Sequence, residues 1–159
     1  MDGIFYSKQI EIITADEVPV FLNLYKQLDP SLNSICIKYL ISMIKNPNNI
    51  FVGSYKLYKH GGEFKMGLIG IATLHLEKKI IHNGKYLGHI EDVVVDSAYR
   101  KKGAAKGMIR ELIKQATANN CYKVILSCDP ALSNLYKNVF NEYNLKQKEE
   151  VSLSLYLNV

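Results

Sequence analysis

Residues 88–106 read GHIEDVVVDSAYRKKGAAK, and their order decides how the rest of the chain is understood. An apolar run from Ile90 to Val95, interrupted only by Glu91 and Asp92, has the β-branched density of a buried strand. It passes through Asp96 and Ser97 into a basic turn, Arg100 to Lys106, and then into a long helical pattern. A helix start leaves backbone N–H groups without intrahelical partners and concentrates partial positive charge, so phosphate oxygens are stabilised there. Gly103 and the small Ala104 and Ala105 allow close approach to the backbone, while Arg100, Lys101, Lys102 and Lys106 add full charges. By composition the turn is a pyrophosphate cradle. It has neither the Walker spacing nor the three spaced glycines of the dinucleotide fingerprint.

Working outward, residues 9–13 (QIEII) read as a short strand, and Asp16 is placed as the N-cap of a helix with Pro19 in its first turn. Val20, Phe21, Leu24, Tyr25 and Leu28 give that helix an apolar stripe, ending near Asp29-Pro30. A second helix is predicted from about Asn33 to Lys45, stopped by Asn46-Pro47-Asn48-Asn49. The period then changes. IFVGSYKLY, a turn at His60-Gly61-Gly62, and FKMGLIGIATLHLE form a hairpin, and a basic connection turning at Asn83-Gly84 returns the chain into YLGHIEDVVV. After the cradle comes a helix over about Gly103 to Ala118. The β-rich CYKVILSC follows and, after a strand–helix crossover, is expected parallel to residues 90–95. A short helix from Ala131 to about Phe140 and a last strand in VSLSLYL complete the order β-α-α-β-β-β-α-β-α-β, an α/β (α+β) mixed sheet with helices on both faces. With 159 residues and no interdomain linker, one domain over residues 1–159 is expected.

Composition narrows the function classes. No segment reaches the length of a membrane span and the first residues lack a signal pattern, so a cytoplasmic setting is expected. Cys36, Cys121 and Cys128 are odd in number and lack zinc spacing, which argues for reduced, mostly buried thiols and against a disulfide frame or metal site. A net charge of +5 suits either nucleic acid or a small polyanion. The Lys/Arg residues fall in short groups beside turns, which favours the small anion, and no nucleic-acid motif is present.

The turn resembles the acetyl-CoA loop of the GNAT superfamily of N-acetyltransferases, Gln/Arg-x-x-Gly-x-Gly/Ala, through Arg100, Gly103 and Ala105. The element order is also the GNAT order. ATLHLEKKIIH (72–82), residues 88–112, CYKVILSC (121–128) and LYK (135–137) are similar to the branch that acetylates the 2-amino group of glucosamine 6-phosphate. The resemblance implies acetyl-CoA as donor, no metal, no nucleic-acid partner, no membrane span and a homodimer. It implies that the backbone of Val93, Val94 and Val95 lines a splayed strand holding the pantetheine arm and thioester. Tyr136 then protonates the departing sulfur. The family's asparagine near the cofactor is missing from its usual place, and Asn134, two residues on, is the candidate for that role. Leu28, Asp29, Lys79, His82, Tyr122 and Lys123 fall on substrate positions. Glu91 and Asp92 are candidates for holding the amino sugar, with Glu91 also a candidate base. Strand alternation lets at most one of this pair face a given ligand. The same loop serves a GNAT enzyme for another small amine or a protein amino terminus, or a CoA-binding module without turnover.

Departures from the pattern matter as well. Ser127 stands where the family has an acidic residue, and no arginine follows Arg110, so the base and the phosphate pocket are expected to be rebuilt.

Overall fold

The computed structural model describes residues 5–150. Five strands, β1 (Phe5–Ile10), β2 (Asn49–His60), β3 (Glu63–Lys78), β4 (Tyr86–Val95) and β5 (Cys121–Leu126), lie side by side in that order. The first four run antiparallel, while β4 and β5 are parallel, as a strand–helix–strand crossover requires. Helices α1 (Val18–Lys26), α2 (Ile37–Lys45) and α3 (Ala104–Ala118) belong with these strands to one compact unit ending at Leu126. A second unit begins at Ser127 and holds a 3-10 turn, Pro130–Leu132, and helix α4 (Ser133–Asn141). The strand expected in VSLSLYL lies outside the described residues.

Within the first unit the sheet is covered on both faces, which is why β3 is buried without a break from Leu68 to Leu74 instead of alternating. On one face Phe21 and Leu24 of α1 and Leu40 and Ile44 of α2 pack with Ile10, Phe51, Tyr55, Leu68, Ile71 and Val94. On the other, α3 buries Met108, Ile109, Leu112 and Ala116. Gly70 alternates with Ile71 and so faces α3; a Cβ there would meet the Val94 carbonyl at 2.9 Å and Met108 Cε at 3.1 Å. The β2–β3 hairpin closes through Gly61 and Gly62 at φ +58° and +86°, the two-residue turn whose twist matches its strands.

Several local expectations are corrected. The first strand is Phe5–Ile10, earlier than residues 9–13, because it is residues 5–10 that pair in register with Phe51–Lys56. The N-cap position of helix α1 is Glu17, not Asp16, and no side chain caps it: the Glu17 carboxylate turns back to accept from the Thr14 N–H and hydroxyl, both at 3.0 Å, which fixes the turn leading into the helix. Helix α2 begins at Ile37, where Cys36 still has extended backbone. The thiols are less buried than expected, with Cys36 and Cys128 exposed because both lie at element ends.

The largest correction concerns β4. Thr73 faces Glu91 and Ile71 faces Val94, so Asp92 and Val93 together stand opposite Ala72. This is a β-bulge, and Asp92 takes it up at φ +53°, a left-handed conformation that Asp tolerates better than most residues. Simple alternation of Glu91 and Asp92 therefore fails. The ladder to β5 ends at the Ile90–Leu126 pair, so Glu91–Val95 run on past the end of their parallel neighbour.

Candidate functional site

The strand–loop–helix unit is assembled from local residues. Asp96 accepts from the Ala98 N–H at 2.9 Å and starts a 3-10 turn, Ser97–Tyr99. Lys101 and Gly103 then adopt φ +60° and +90°. Left-handed residues therefore flank Lys102, the kind of backbone from which anion-binding nests are built. The first hydrogen bond of α3 runs from the Gly107 N–H to the Gly103 carbonyl at 3.0 Å, leaving the N–H groups of Ala104, Ala105 and Lys106 ahead of the ladder. No atom lies within 4 Å of where a Gly103 Cβ would be, so the space above the loop is open. These features fit the pyrophosphate of CoA.

The charges divide into two kinds. Arg100, expected as a cradle charge, turns its guanidinium back on the protein: Nε donates to the Val95 carbonyl and Nη2 to Gln27 Oε1, both at 3.0 Å. Gln27 Oε1 also accepts from the Ser97 N–H at 3.0 Å, tying the end of α1 to the loop. Lys102 donates to the Ala98 carbonyl at 3.2 Å and lies over the Tyr99 ring. Lys101 is exposed and Lys106 half-buried.

The acidic pair belongs to a cluster made by four elements. Glu91 Oε2 lies 3.8 Å from His75 Nε2, and His75 Nδ1 lies 2.6 Å from Asn49 Oδ1. Asp92 keeps a solvent-open edge, but the protein around its carboxyl strips part of its hydration and raises its pKa; neighbouring Glu91 raises it further and His75 pulls it down. Tyr25 on α1 faces the same group, its phenol pushed up first by burial and then by Asp92. Thr73, fully buried, lies near enough to ease ionisation of Tyr25, yet its hydroxyl makes no hydrogen bond of normal geometry. The bulge thus brings both carboxylates to one locus of this face.

The remaining expected residues spread more widely. His82 and Tyr122 stack face to face, their rings 3.7 Å apart at 25°. Lys79 forms an ion pair with Glu77, which also holds His89 at 2.9 Å and whose carboxyl is kept low mainly by Lys79. Lys123 is exposed on β5. Leu28 is exposed, and the carboxylate of Asp29 accepts from Ser31 N–H and Oγ at 2.9 and 2.6 Å, so it shapes the loop after α1. In the second unit Asn134 is exposed in the first turn of α4 and Tyr136 is buried, its phenol raised by burial and secondarily by Cys128. A shallow depression of about 350 Å³ lined by Lys8, Gln9, Glu11, Thr14, Glu17 and Tyr55 among others contains none of these side chains. Among the described residues no helix is long and apolar enough to cross a membrane.

Gln27, Asn49, Thr73 and His75 escaped the sequence reading. For Thr73 and His75 the one visible signal was polarity on an otherwise apolar stretch, GIATLHL, whereas Gln27 and Asn49 lie in polar stretches at the ends of helices. Nothing local says which other residues they meet.

Residues 17–140 match the model of the acetyltransferase (GNAT) family, and the chain belongs to that family. Glucosamine 6-phosphate N-acetyltransferase 1 of Oryza sativa subsp. japonica is 42% identical over 69 residues, covering 43% of this chain and 42% of that protein. Glucosamine 6-phosphate N-acetyltransferase of Trypanosoma brucei brucei is 44% identical over 59 residues, 37% of this chain and 40% of that protein. The aligned segments thus span less than half of these curated relatives. Among solved structures, an acetyltransferase of Trypanosoma brucei superposes with TM-score 0.75 at 23% identity, covering 97% of this chain and all of that one. Glucosamine-6-phosphate N-acetyltransferase of Arabidopsis thaliana does so with TM-score 0.74 at 22% identity, covering 98% of this chain and 99% of that one. These two likenesses establish the fold.

Proposed function

We propose that the chain, as one acetyltransferase domain over residues 1–159, transfers the acetyl group of acetyl-CoA to the 2-amino group of glucosamine 6-phosphate. The observation that carries this reading is the junction on β4: an anion-binding loop and an acidic cluster lie at the two ends of one bulged segment, Glu91–Val95, that has outrun its parallel neighbour. The substrate comes from the relatives, which carry this activity in their names and align at about 40% identity.

Acetyl-CoA supplies an activated thioester. The chain's own residues hold the donor, orient the amine and manage protons. Backbone N–H groups of Ala104, Ala105 and Lys106, with Gly103 giving access and Lys101, Lys102 and Lys106 adding charge, hold the pyrophosphate. Val93 and Val94, beyond the end of the β5 ladder, offer backbone on that side to the pantetheine arm, and an amide there would polarise the thioester carbonyl. The Val95 carbonyl already holds Arg100, so it contributes chiefly by fixing the loop. Glu91 and Asp92 attract the ammonium. Tyr136, a phenol that carries its proton at neutral pH, is the proton donor to sulfur that the family resemblance implies. Lys79, His82, Tyr122 and Lys123 take the phosphorylated sugar, and a homodimer in the cytoplasm is the expected setting.

The test is thiol release from acetyl-CoA with glucosamine 6-phosphate, glucosamine and glucose 6-phosphate in parallel. Activity on the first alone supports the reading. Equal rates on both amines would refute the sugar-phosphate specificity, and no activity on either amine would refute the substrate.

A further inference from the structure

We propose that His75 is a catalytic residue: its Nε2 takes the proton from the acceptor's ammonium, in place of a carboxylate base. This rests on the acetyl-transfer reading above. The tautomer follows from hydrogen bonding alone. The backbone carbonyl of Met43 can only accept, so the Asn49 atom facing it at 3.2 Å must be Nδ2, which turns Asn49 Oδ1 toward His75. That oxygen in turn can only accept, so at 2.6 Å the proton of the neutral imidazole sits on Nδ1. Nε2 is left with its lone pair, and a ring nitrogen so placed is a base by construction.

The surroundings suit the task. Asn49 is buried, so the support is rigid, while the His75 side chain is 31% exposed and reachable. Nε2 and Glu91 Oε2 are 3.8 Å apart, too far for a hydrogen bond between them but within joint reach of one ammonium seated beside both. The titratable groups facing His75 are Glu91, Asp92 and the directly opposed His89 on β4, and on its own strand Glu77, which holds His89; Tyr25 of α1 reaches the cluster through Asp92. Glu91 and Asp92 provide the attraction. His75 provides the acceptor site that Ser127 does not.

The proton balance is simple. One N–H bond of the ammonium breaks and its proton goes to His75 Nε2, giving imidazolium. The freed lone pair forms the C–N bond at the acetyl carbonyl carbon. As the C–S bond breaks, Tyr136 gives its phenolic proton to sulfur, which departs as thiol, and the second proton leaving the nitrogen restores the phenol. His75 returns its proton to solvent through its exposed edge, so each turnover of an ammonium releases one proton.

The deciding experiment compares kcat/KM for glucosamine 6-phosphate against pH in the wild type, His75→Gln and Asn49→Asp, with acetyl-CoA affinity measured on each. The wild type should lose activity on the acid side, where the imidazole holds a proton and can no longer accept one. His75→Gln should lack that limb and fall by about 10²-fold at neutral pH with acetyl-CoA affinity unchanged. Asn49→Asp, placing a carboxylate on Nδ1, should move the limb to higher pH. A His75→Gln enzyme that keeps the wild-type rate and limb overturns the assignment. Nitrogen NMR of the imidazole in the ligand-free protein decides independently of substrate: a neutral ring protonated on Nδ1 supports it and one protonated on Nε2 overturns it. Absence of any acetylation of glucosamine 6-phosphate by the wild type would instead refute the substrate reading, leaving the NMR result to judge His75.

Discussion

The anion loop and the acidic cluster adjoin the same five residues of β4, yet they are built in opposite ways. The loop is eleven consecutive residues, Asp96 to Lys106, whose work is done by backbone N–H groups and by two left-handed residues. The cluster takes Asn49 from β2, Thr73 and His75 from β3, Glu91 and Asp92 from β4, and Tyr25 from α1, side chains brought together by strand register and helix packing. A site made of backbone depends on conformation; one made of cross-strand side chains depends on register. Substitutions should therefore act differently at the two.

The sharpest break is Asp92→Val. A β-branched residue held at φ +53° costs roughly 1–2 kcal/mol, and relieving it by straightening the bulge would shift β4 by one residue past β3. Activity should be nearly abolished and Tm should fall by several degrees, whereas Asp92→Gly, which accepts the conformation, should keep the wild-type Tm. Equal thermal stability of the two variants in calorimetry would count against the bulge.

Gly103→Val tests the loop in the same spirit. Its Cβ meets no protein atom, so the expected loss comes from φ +90° and from intrusion into the ligand's space. Acetyl-CoA affinity should drop by at least about tenfold while the sugar-facing cluster is untouched. Titration calorimetry showing full affinity would remove the cradle. A smaller effect is expected for Gln27→Ala, which cuts the bonds to the Ser97 N–H and Arg100 Nη2 without altering any cradle residue. A few-fold weaker acetyl-CoA binding with unchanged helical content is the prediction, and no change would show that the loop holds itself.

Smallest is the pH effect of Asp92→Asn. The carboxyl's folded pKa lies above its unfolded value, so the folded state binds more protons between the two, and stability falls as pH rises through that window. Above it the ionised carboxylate is a net cost, reduced by its solvent-open edge. Asn also tolerates the left-handed conformation. Asp92→Asn should therefore melt slightly higher at neutral pH, with the gain vanishing below the ordinary Asp pKa. A gain that persists in acid would assign the effect to something other than charge.

The same contrast explains what was legible in the sequence. The loop could be read because glycine, small residues and basic residues follow one another at a helix start, and the hairpin because Gly61-Gly62 separates two apolar runs. Arg100 was misjudged because its partners, Gln27 and the Val95 carbonyl, depend on how α1 meets the loop. The bulge was invisible: Asp92 is the second of two adjacent acidic residues in an apolar run until the register of β3 reveals that it has no partner of its own. His75 was passed over for the same reason, since a lone histidine on a strand acquires meaning only from Asn49 and Glu91 beside it.

The most direct test of the account is a crystal structure of the chain with CoA and N-acetylglucosamine 6-phosphate bound. The account predicts the pyrophosphate on the N–H groups of Ala104, Ala105 and Lys106, and the acetamido nitrogen within hydrogen-bond reach of His75 Nε2 or Glu91. A sugar seated away from that cluster, with CoA still on the loop, would contradict it.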